Sequence, residues 1–154
     1  MDQREATTSA STPEQVGLSF LALAHSLRQQ VDQHMTSTAG LSLSRTKVLQ
    51  TLAGRGALHQ AELAAALDQA PRSVTQIVEG LERLGMVART SDPEDRRRKT
   101  VSLTSAGRTT LAAAEQAGTH ALRRCFGSLE PQQLSTFDAL LAHLDNVLTG
   151  NSAD

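Results

Sequence analysis

The sequence is poor in aromatic residues and cysteine and has no long hydrophobic run. Its 154 residues, enough for one domain, include three Phe and no Trp or Tyr. A core must therefore consist mainly of Leu, Val and Ala, which favours packed helices over a β-sandwich. The single cysteine excludes an internal disulfide, and no apolar stretch approaches the roughly 20 residues that span a bilayer or resembles a secretory signal. These absences predict a soluble, cytoplasmic, mainly helical domain with no membrane partner.

The charged residues are distributed unevenly along the chain. The formal net charge is −1, which by itself argues against a nucleic-acid partner. However, residues 1–71 sum to −1, residues 72–99 to +2 and residues 100–154 to −2. A basic stretch within an otherwise acidic chain is typical of a focused anion-binding face.

Apolar residues at spacings of three and four predict a series of helices. The cap, proline and polar signals at their ends place them from Pro13 to about Ala39, from about Ser44 to Ala53, around Leu63–Leu67, from Pro71 to Gly85, from Thr104 to about Gly127, and from Pro131 onward. Two short helices with a tight connection, the second beginning with polar side chains, are typical of a helix-turn-helix.

After the fourth predicted helix the pattern changes to short extended segments. Met86–Thr90 and Lys99–Leu103 have the composition of strands, and Ser91–Asp95 is typical of a turn. Two strands around a polar loop form a hairpin, with Arg96–Arg98 on its returning side. A helix-turn-helix followed by a basic hairpin is a winged helix, so we expect a mainly α fold with a small two-stranded β wing.

The most specific motif of the sequence lies in and after this hairpin. It consists of Asp92-Pro93-Glu94-Asp95-Arg96-Arg97-Arg98, then Val101-Ser102-Leu103-Thr104, then Gly107. This motif is similar to the D-P-x-D-x-R wing and the L-T-x-x-G helix entry of the MarR family, and residues 41–108 resemble that family of transcription regulators. Two departures concern the start of the fourth helix: Ala70 replaces the usual Ser or Thr cap, and Asp68-Gln69 replaces a Gly-apolar pair.

The resemblance extends over about residues 13–149. It implies an N-terminal dimerisation helix over 13–40, a winged helix-turn-helix DNA-binding lobe over 41–104 and C-terminal dimerisation helices over 105–149. The start of the chain is rich in Ser, Thr and Ala and has no periodicity, so we expect a disordered tail over 1–12, and a second tail over 150–154.

The first turns of the fourth helix are the predicted major-groove contacts. A helix N-terminus offers free backbone amides and a positive dipole, and in a helix-turn-helix its early side chains reach base edges. These side chains are Pro71, Arg72, Ser73, Thr75 and Gln76. Gln76 suits adenine and Arg72 suits guanine. The alternative is an ordinary solvated helix face.

Arg96, Arg97 and Arg98 are the predicted wing contacts. Successive residues of an extended chain point to opposite sides, so the three cannot all face one groove. The resemblance implies that Arg97 enters the minor groove, while Arg96 and Arg98 contact phosphates or support the loop. We expect Asp95 to hold an arginine by a charge-assisted hydrogen bond. The alternative is a solvated run of charge.

The resemblance also implies a homodimer formed through the terminal helices. An apolar seam in the last helix and an apolar first helix would be exposed in a monomer. The candidate dimerisation residues are Val16, Phe20, Leu134, Phe137, Leu141, Leu144 and Leu148. Two recognition helices about 34 Å apart would then read a near-palindromic operator. The alternative is that the seam packs within its own chain.

Members of the family often bind small aromatic acids between the dimer helices and the winged lobe. His25, Arg28 and Arg45 are the candidate anchors for the carboxylate of such an effector. Arg45 could equally contact the DNA backbone. Cys125 is expected to be an inert packed thiol, because Leu122 and Phe126 flank it on the same helix face.

The sequence contains no pattern typical of catalysis or of a cofactor. The histidines are scattered without metal-ligand spacing, and no phosphate loop, nucleophile elbow or pair of acids is present. We therefore expect no metal, no cofactor and no enzymatic activity. The sequence predicts a homodimeric, sequence-specific double-stranded DNA-binding regulator, a repressor that a small ligand releases. The alternative is a winged-helix module that binds an acidic protein partner.

Overall fold

The computed structural model describes residues 11–150. Within this range the chain forms α1 (Pro13–Ala39), α2 (Leu43–Arg55), β1 (Leu58–His59), α3 (Gln60–Ala66), α4 (Pro71–Arg83), β2 (Val87–Ser91), β3 (Lys99–Leu103), α5 (Ser105–Phe126) and α6 (Pro131–Gly150). The predicted tails over 1–12 and 150–154 fall largely outside the described residues. None of these helices has the length and apolar character needed to cross a membrane.

The ends of α1 follow the predicted cap signals. The Thr12 hydroxyl accepts the Gln15 amide at 3.3 Å, and the Gln15 side chain accepts the Thr12 amide at 3.1 Å. At the other end Gly40 has φ 70°, a left-handed conformation in which glycine has no Cβ penalty, and its amide bonds to Thr36. This helix therefore begins and ends where the sequence predicts.

The second helix is longer than predicted at both ends. It begins at Leu43, because the Asp32 carboxylate of α1 accepts the Leu43 amide at 2.7 Å and Ser42 caps the helix. It continues through Gly54, and the chain leaves the helix at Gly56, where φ is 82°. A tertiary contact from α1 and the second of two glycines thus set the ends of α2.

The helix-turn-helix consists of α3, a four-residue connection and α4. Asp68 in this connection has φ 49°, a left-handed conformation that Asp tolerates better than most side chains do. Val74, Val78 and Leu81 lie on the inner face of α4 and are fully buried. The burial of every third or fourth residue fixes which face of α4 remains exposed.

The sheet has three strands, one more than the sequence predicts. The strand order is β1-β3-β2, and both pairings are antiparallel. In the hairpin Val87 lies opposite Leu103 and Ser91 opposite Lys99, whereas Leu58 of β1 lies opposite Val101. The two-residue strand β1 is too short to show alternation, so only its pairing with β3 reveals it.

The L-T-x-x-G motif joins the wing to α5. The Thr104 hydroxyl donates to the Gly85 carbonyl oxygen at 2.6 Å and accepts the Gly107 amide at 3.0 Å. A Cβ at position 107 would overlap the Met86 carbonyl oxygen. Thr104 therefore caps α5 and also binds the segment that follows α4. Gly107 lets the start of α5 approach the Met86 carbonyl oxygen closely.

The buried core lies within the winged lobe and the adjoining halves of two long helices. Val31 and Met35 of α1 pack toward Leu111 and Ala114 of α5, and Met35 lies against Gly118. By contrast, α6 has no buried residue, and the first half of α1 is exposed. The terminal helices are therefore incompletely covered within one chain.

Candidate nucleic-acid interface

The first turns of α4 present an exposed polar surface. Pro71, Arg72, Ser73 and Gln76 are all exposed. The Ala70 carbonyl accepts the amides of Ser73 and Val74, and no side chain caps the helix. Because Pro71 has no amide hydrogen, Arg72 carries the first free N–H, which is available to a phosphate. The alanine that departs from the usual cap thus leaves the helix N-terminus open.

Thr75, a predicted base contact, forms two hydrogen bonds within the protein. Its hydroxyl donates to the Pro71 carbonyl oxygen at 2.9 Å and accepts a hydrogen bond from the Gln60 amide group. The hydroxyl proton is therefore engaged within the protein, and the residue is half-buried. Thr75 holds α4 against α3, and its contact with a base stays a prediction.

The wing loop is folded by two aspartates. The Asp92 carboxylate accepts the Glu94 amide at 2.9 Å, and that bond is the main reason why the pKa of Asp92 lies below its ordinary value. The Asp95 carboxylate accepts the Arg97 amide at 3.0 Å, and its carbonyl accepts the Arg98 amide at 2.9 Å. These turns hold the loop without using an arginine side chain.

Asp95 was predicted to bind an arginine side chain, but in the structure its carboxylate accepts from the backbone of Arg97. Its carboxylate binds a backbone amide, and no guanidinium lies within salt-bridge distance of it in the described residues. A bond from the Asp95 carboxylate to an amide two residues later orders only one short side chain. A bond to an arginine side chain would cost more conformational entropy, because the long side chain would lose rotamer freedom.

The three wing arginines, Arg96, Arg97 and Arg98, remain exposed, and within the described residues none of them forms an ion pair with a carboxylate. Lys99, the next cation, donates instead to the Ser91 hydroxyl at 2.7 Å across the base of the hairpin. The wing therefore carries three guanidinium groups that an external anion can reach.

His59 connects the wing to the helix-turn-helix, a role that the sequence analysis missed. One ring nitrogen lies 3.2 Å from the Thr100 hydroxyl on β3, and the other lies 3.8 Å from an Asp92 oxygen. A cleft of about 170 Å³ between His59, Gln60 and the wing residues Arg97–Lys99 places the wing beside the start of α3. The partners of His59 are more than 30 residues away in sequence, so no local pattern indicates them.

The predicted effector anchors do not all lie together. His25 and Arg28 line a cleft of about 320 Å³ between α1 and the start of α2, together with Asp32. Arg45 lies elsewhere, with its guanidinium against Gly80 of α4. The structure thus brings His25 and Arg28 together but does not place Arg45 in their cleft.

The predicted dimerisation residues lie on a largely exposed apolar surface. Within residues 11–150, ten of the twelve exposed large hydrophobic side chains belong to the first half of α1 or to α6. Val16, Phe20, Leu134, Leu144 and Leu148 are among them, whereas Phe137 and Leu141 are half-buried. The rings of Phe137 and Phe126 lie 6.1 Å apart within the chain.

Cys125 is exposed, contrary to the prediction of a packed thiol. It lies in the last turns of α5, beyond the buried positions that end at Gly118.

The rings of His34 and His120 stack with their centroids 5.5 Å apart, a contact between α1 and α5 that their sequence separation conceals. Among residues 11–150 no group of three metal-ligating side chains occurs.

The order of elements and the exposed basic surface define a winged helix-turn-helix protein. The α3–α4 pair, the hairpin beside it and the uncapped α4 N-terminus form the arrangement in which a helix enters the major groove.

Comparisons with known proteins identify the family. The model of the MarR family matches residues 41–99. The HTH-type transcriptional regulator PrsX of Escherichia coli is 35% identical over 114 residues, which cover 70% of this chain and 69% of that protein. A putative transcriptional regulatory protein for the hcr operon of Thauera aromatica is 35% identical over 89 residues, and the chain spans only 54% of that protein's length.

A solved structure supports the same assignment. The MarR family regulator Sco3205 of Streptomyces coelicolor, determined in complex with DNA, has a TM-score of 0.71 and 26% identity, covering 90% of this chain and 93% of that one. The chain belongs to the MarR family of winged helix-turn-helix, DNA-binding transcription regulators. It is thus a member of a family of regulators and not of enzymes.

Proposed function

We propose that the protein acts as a homodimer that recognises a near-palindromic operator. The observation that carries this proposal is the uncapped, exposed start of α4 beside a wing with three unpaired guanidinium groups. Arg72 and Gln76 would contact base edges in the major groove, while Pro71 and Ser73 would lie against the groove wall. Arg97 would enter the adjacent minor groove, and Arg96 and Arg98 would contact phosphates.

The proposed dimer rests on the terminal helices. The apolar side chains of α6 and of the first half of α1 are exposed in one chain, and such a surface is unfavourable in water. A two-fold axis through these helices, which cover residues 13–40 and 105–149, would bury the same surface on both protomers. It would also give each of two winged lobes, residues 41–104, its own half-site.

We further propose that the protein is a repressor and that a small acid releases it. A dimer on an operator that overlaps a promoter would exclude polymerase. His25 and Arg28 in their shared cleft could bind a carboxylate, although Asp32 in the same cleft would disfavour a second negative charge. Such a ligand regulates only if it binds one spacing of the two lobes more tightly than another.

We also propose that the protein acts in the cytoplasm, because a regulator must share the compartment of its DNA.

The test is selection of bound duplexes from random double-stranded DNA, followed by sequencing. We expect a two-fold symmetric consensus, with affinity for it that falls steeply as salt increases. The Arg97→Ala variant should select the same consensus sequence and bind it with lower affinity. No enriched sequence, or binding with no salt dependence, would favour the alternative of a module that binds an acidic protein.

A further inference from the structure

Arg89 lies on the wing strand β2 and reaches across to α4. Its Nε and Nη2 atoms donate to the same Glu82 oxygen at 2.9 Å and 2.6 Å. Its Nη1 atom lies 3.7 Å from a Glu79 oxygen, one turn earlier on α4. One guanidinium group therefore joins the middle of a wing strand to two carboxylates on the recognition helix.

The electrostatic effects on the two partners agree with this geometry. The hydrogen bond from Arg89 holds the pKa of Glu82 below its ordinary value, and the same bond raises the pKa of Arg89. The Arg89 side chain is 23% exposed, whereas Glu82 is 37% exposed. The arginine is thus covered by the protein, unlike the three arginines at the wing loop.

Arg89 bridges the middle of the wing hairpin and α4. Val87 at the base of the hairpin and Val101 at its middle are buried, but the loop that follows Ser91 is exposed. Arg89 lies opposite Val101 in the hairpin, halfway between this base and the loop. Both ion pairs that link a wing strand to α4 in the described chain use Arg89.

The pair also removes an electrostatic conflict with DNA. Glu79 and Glu82 lie on the same helix as Arg72 and Gln76, and unpaired carboxylates there would repel phosphates. Arg89 supplies a cation to both of them and is thereby unavailable as a DNA contact, although it belongs to the basic stretch.

We infer that Arg89 is a positioning residue for DNA recognition: by binding Glu82 and Glu79 it holds the wing at the angle at which Arg97 and the start of α4 engage neighbouring grooves together. This inference rests on the proposed function. It assigns to one arginine of the basic stretch a role different from that of Arg96–Arg98.

The test is a double-mutant cycle on the affinity of the full-length protein for its selected duplex. The variants are Arg89→Gln, Arg97→Ala and both together. In the parent chain Arg97→Ala should weaken binding about tenfold, the effect of one lost groove contact. In the Arg89→Gln background it should weaken binding less than about threefold, because a displaced wing no longer brings Arg97 to the groove.

Two controls separate positioning from loss of fold or of charge. Arg83→Gln removes an equal charge from an exposed arginine of α4 and should leave the effect of Arg97→Ala at its full size. If Arg89→Gln fails to fold, Glu82→Gln takes its place, since it removes the main partner and leaves Arg89 present. Glu82→Gln should also reduce the effect of Arg97→Ala.

The outcomes distinguish the inference from the function on which it rests. An equal loss from Arg97→Ala in the parent, Arg89→Gln and Glu82→Gln backgrounds would overturn the positioning role and leave operator binding intact. An Arg97→Ala substitution without effect in the parent chain would overturn both the wing contact and the inference. A smaller loss in both Arg89→Gln and Glu82→Gln, with the full loss in Arg83→Gln, would establish the positioning role.

Discussion

The helices α4 and α6 differ in where their apolar side chains lie. In α4 the apolar residues form one stripe, and Val74, Val78 and Leu81 are fully buried within the chain. The α6 helix has more apolar residues, yet none of them is buried, and Leu144 and Leu148 are 51% and 71% exposed. An amphipathic pattern can thus supply apolar residues to the core of one chain or to an interface between two chains. The pattern alone does not distinguish these two uses.

The largest contrast should appear in stability after truncation of a leucine in each helix. Leu81→Ala should lower the free energy of unfolding by about 2–5 kcal/mol, because it leaves a cavity in the core. Leu134→Ala, on a side chain 43% exposed within the chain, should act mainly on dimer association. Urea denaturation at several protein concentrations measures both. An equal cost for the two variants in the dissociated monomer would contradict the comparison.

A charge placed on α6 should separate the protomers. Leu144→Glu should give a monomer in analytical ultracentrifugation and reduce operator affinity by about 100-fold, since the two half-sites are no longer linked. The matched control is Leu84→Glu, at a leucine with 52% exposure that lies beyond α4 and outside the terminal helices. Leu84→Glu should remain a dimer. A dimeric Leu144→Glu protein would contradict the proposed interface.

The exposed wing should contribute to DNA binding without contributing to stability. Arg97→Ala should weaken operator binding about tenfold and reduce its salt dependence, while the melting temperature is unchanged. Arg55→Ala, at an exposed arginine at the end of α2, is the matched control and should change neither quantity. Fluorescence anisotropy at several salt concentrations measures the effect. An unchanged affinity for Arg97→Ala would remove the wing from the interface.

Two adjacent residues of α4 should have different effects. Gln76→Ala should lower discrimination at one base pair by about 1–3 kcal/mol, with a smaller change in overall affinity. Thr75→Val should instead reduce stability and retain base preference, because the Thr75 hydroxyl binds Pro71 and Gln60 inside the protein. Affinities for a set of single-base operator variants distinguish the two. A relaxed base preference in Thr75→Val would show that Thr75 also contacts bases.

The smallest effect should be a pH dependence at the contact between wing and α4. The pKa of Glu82 is lowered in the folded chain, so the unfolded chain binds a proton first as the pH falls. Its contribution to stability is therefore present at neutral pH and disappears as the pH falls through the lowered value. The stability difference between the parent and Glu82→Gln should vanish in acid. Glu94→Gln, at an exposed residue of the wing loop, is the matched control for the loss of one carboxylate.

Most secondary structure was predictable from local signals. Thr12 with Gln15, Gly40, Pro71 and Thr104 each mark an end of a helix by a bond or a conformation that involves nearby residues. The hairpin strand over Lys99–Leu103 was predicted with its observed bounds for the same reason. The strand β1 was not, because two residues carry no periodicity and pair only through a distant strand.

The sequence predicted which residue types form the candidate site, but only part of how their side chains are arranged. The basic stretch, the motif around Asp92 and the polar start of α4 indicate the class of ligand from residue types alone. The structure was required to show that Arg89 is bonded to Glu82 while Arg97 is exposed, since both are arginines of one hairpin. Thr75 and Arg45 likewise face other helices, which their sequence neighbours cannot indicate.

The amino-acid sequence alone determined the order of the helices, the winged architecture and the position of the cationic segment. These properties follow from interactions over a few residues, such as caps, turns and apolar spacing. Only the tertiary structure decided which polar groups are already engaged and which remain available, as with the Asp95 carboxylate on a backbone amide and the His59 ring beside Thr100 and Asp92. Availability depends on which distant groups the fold brings within hydrogen-bond reach, and such contacts are not encoded by any local pattern.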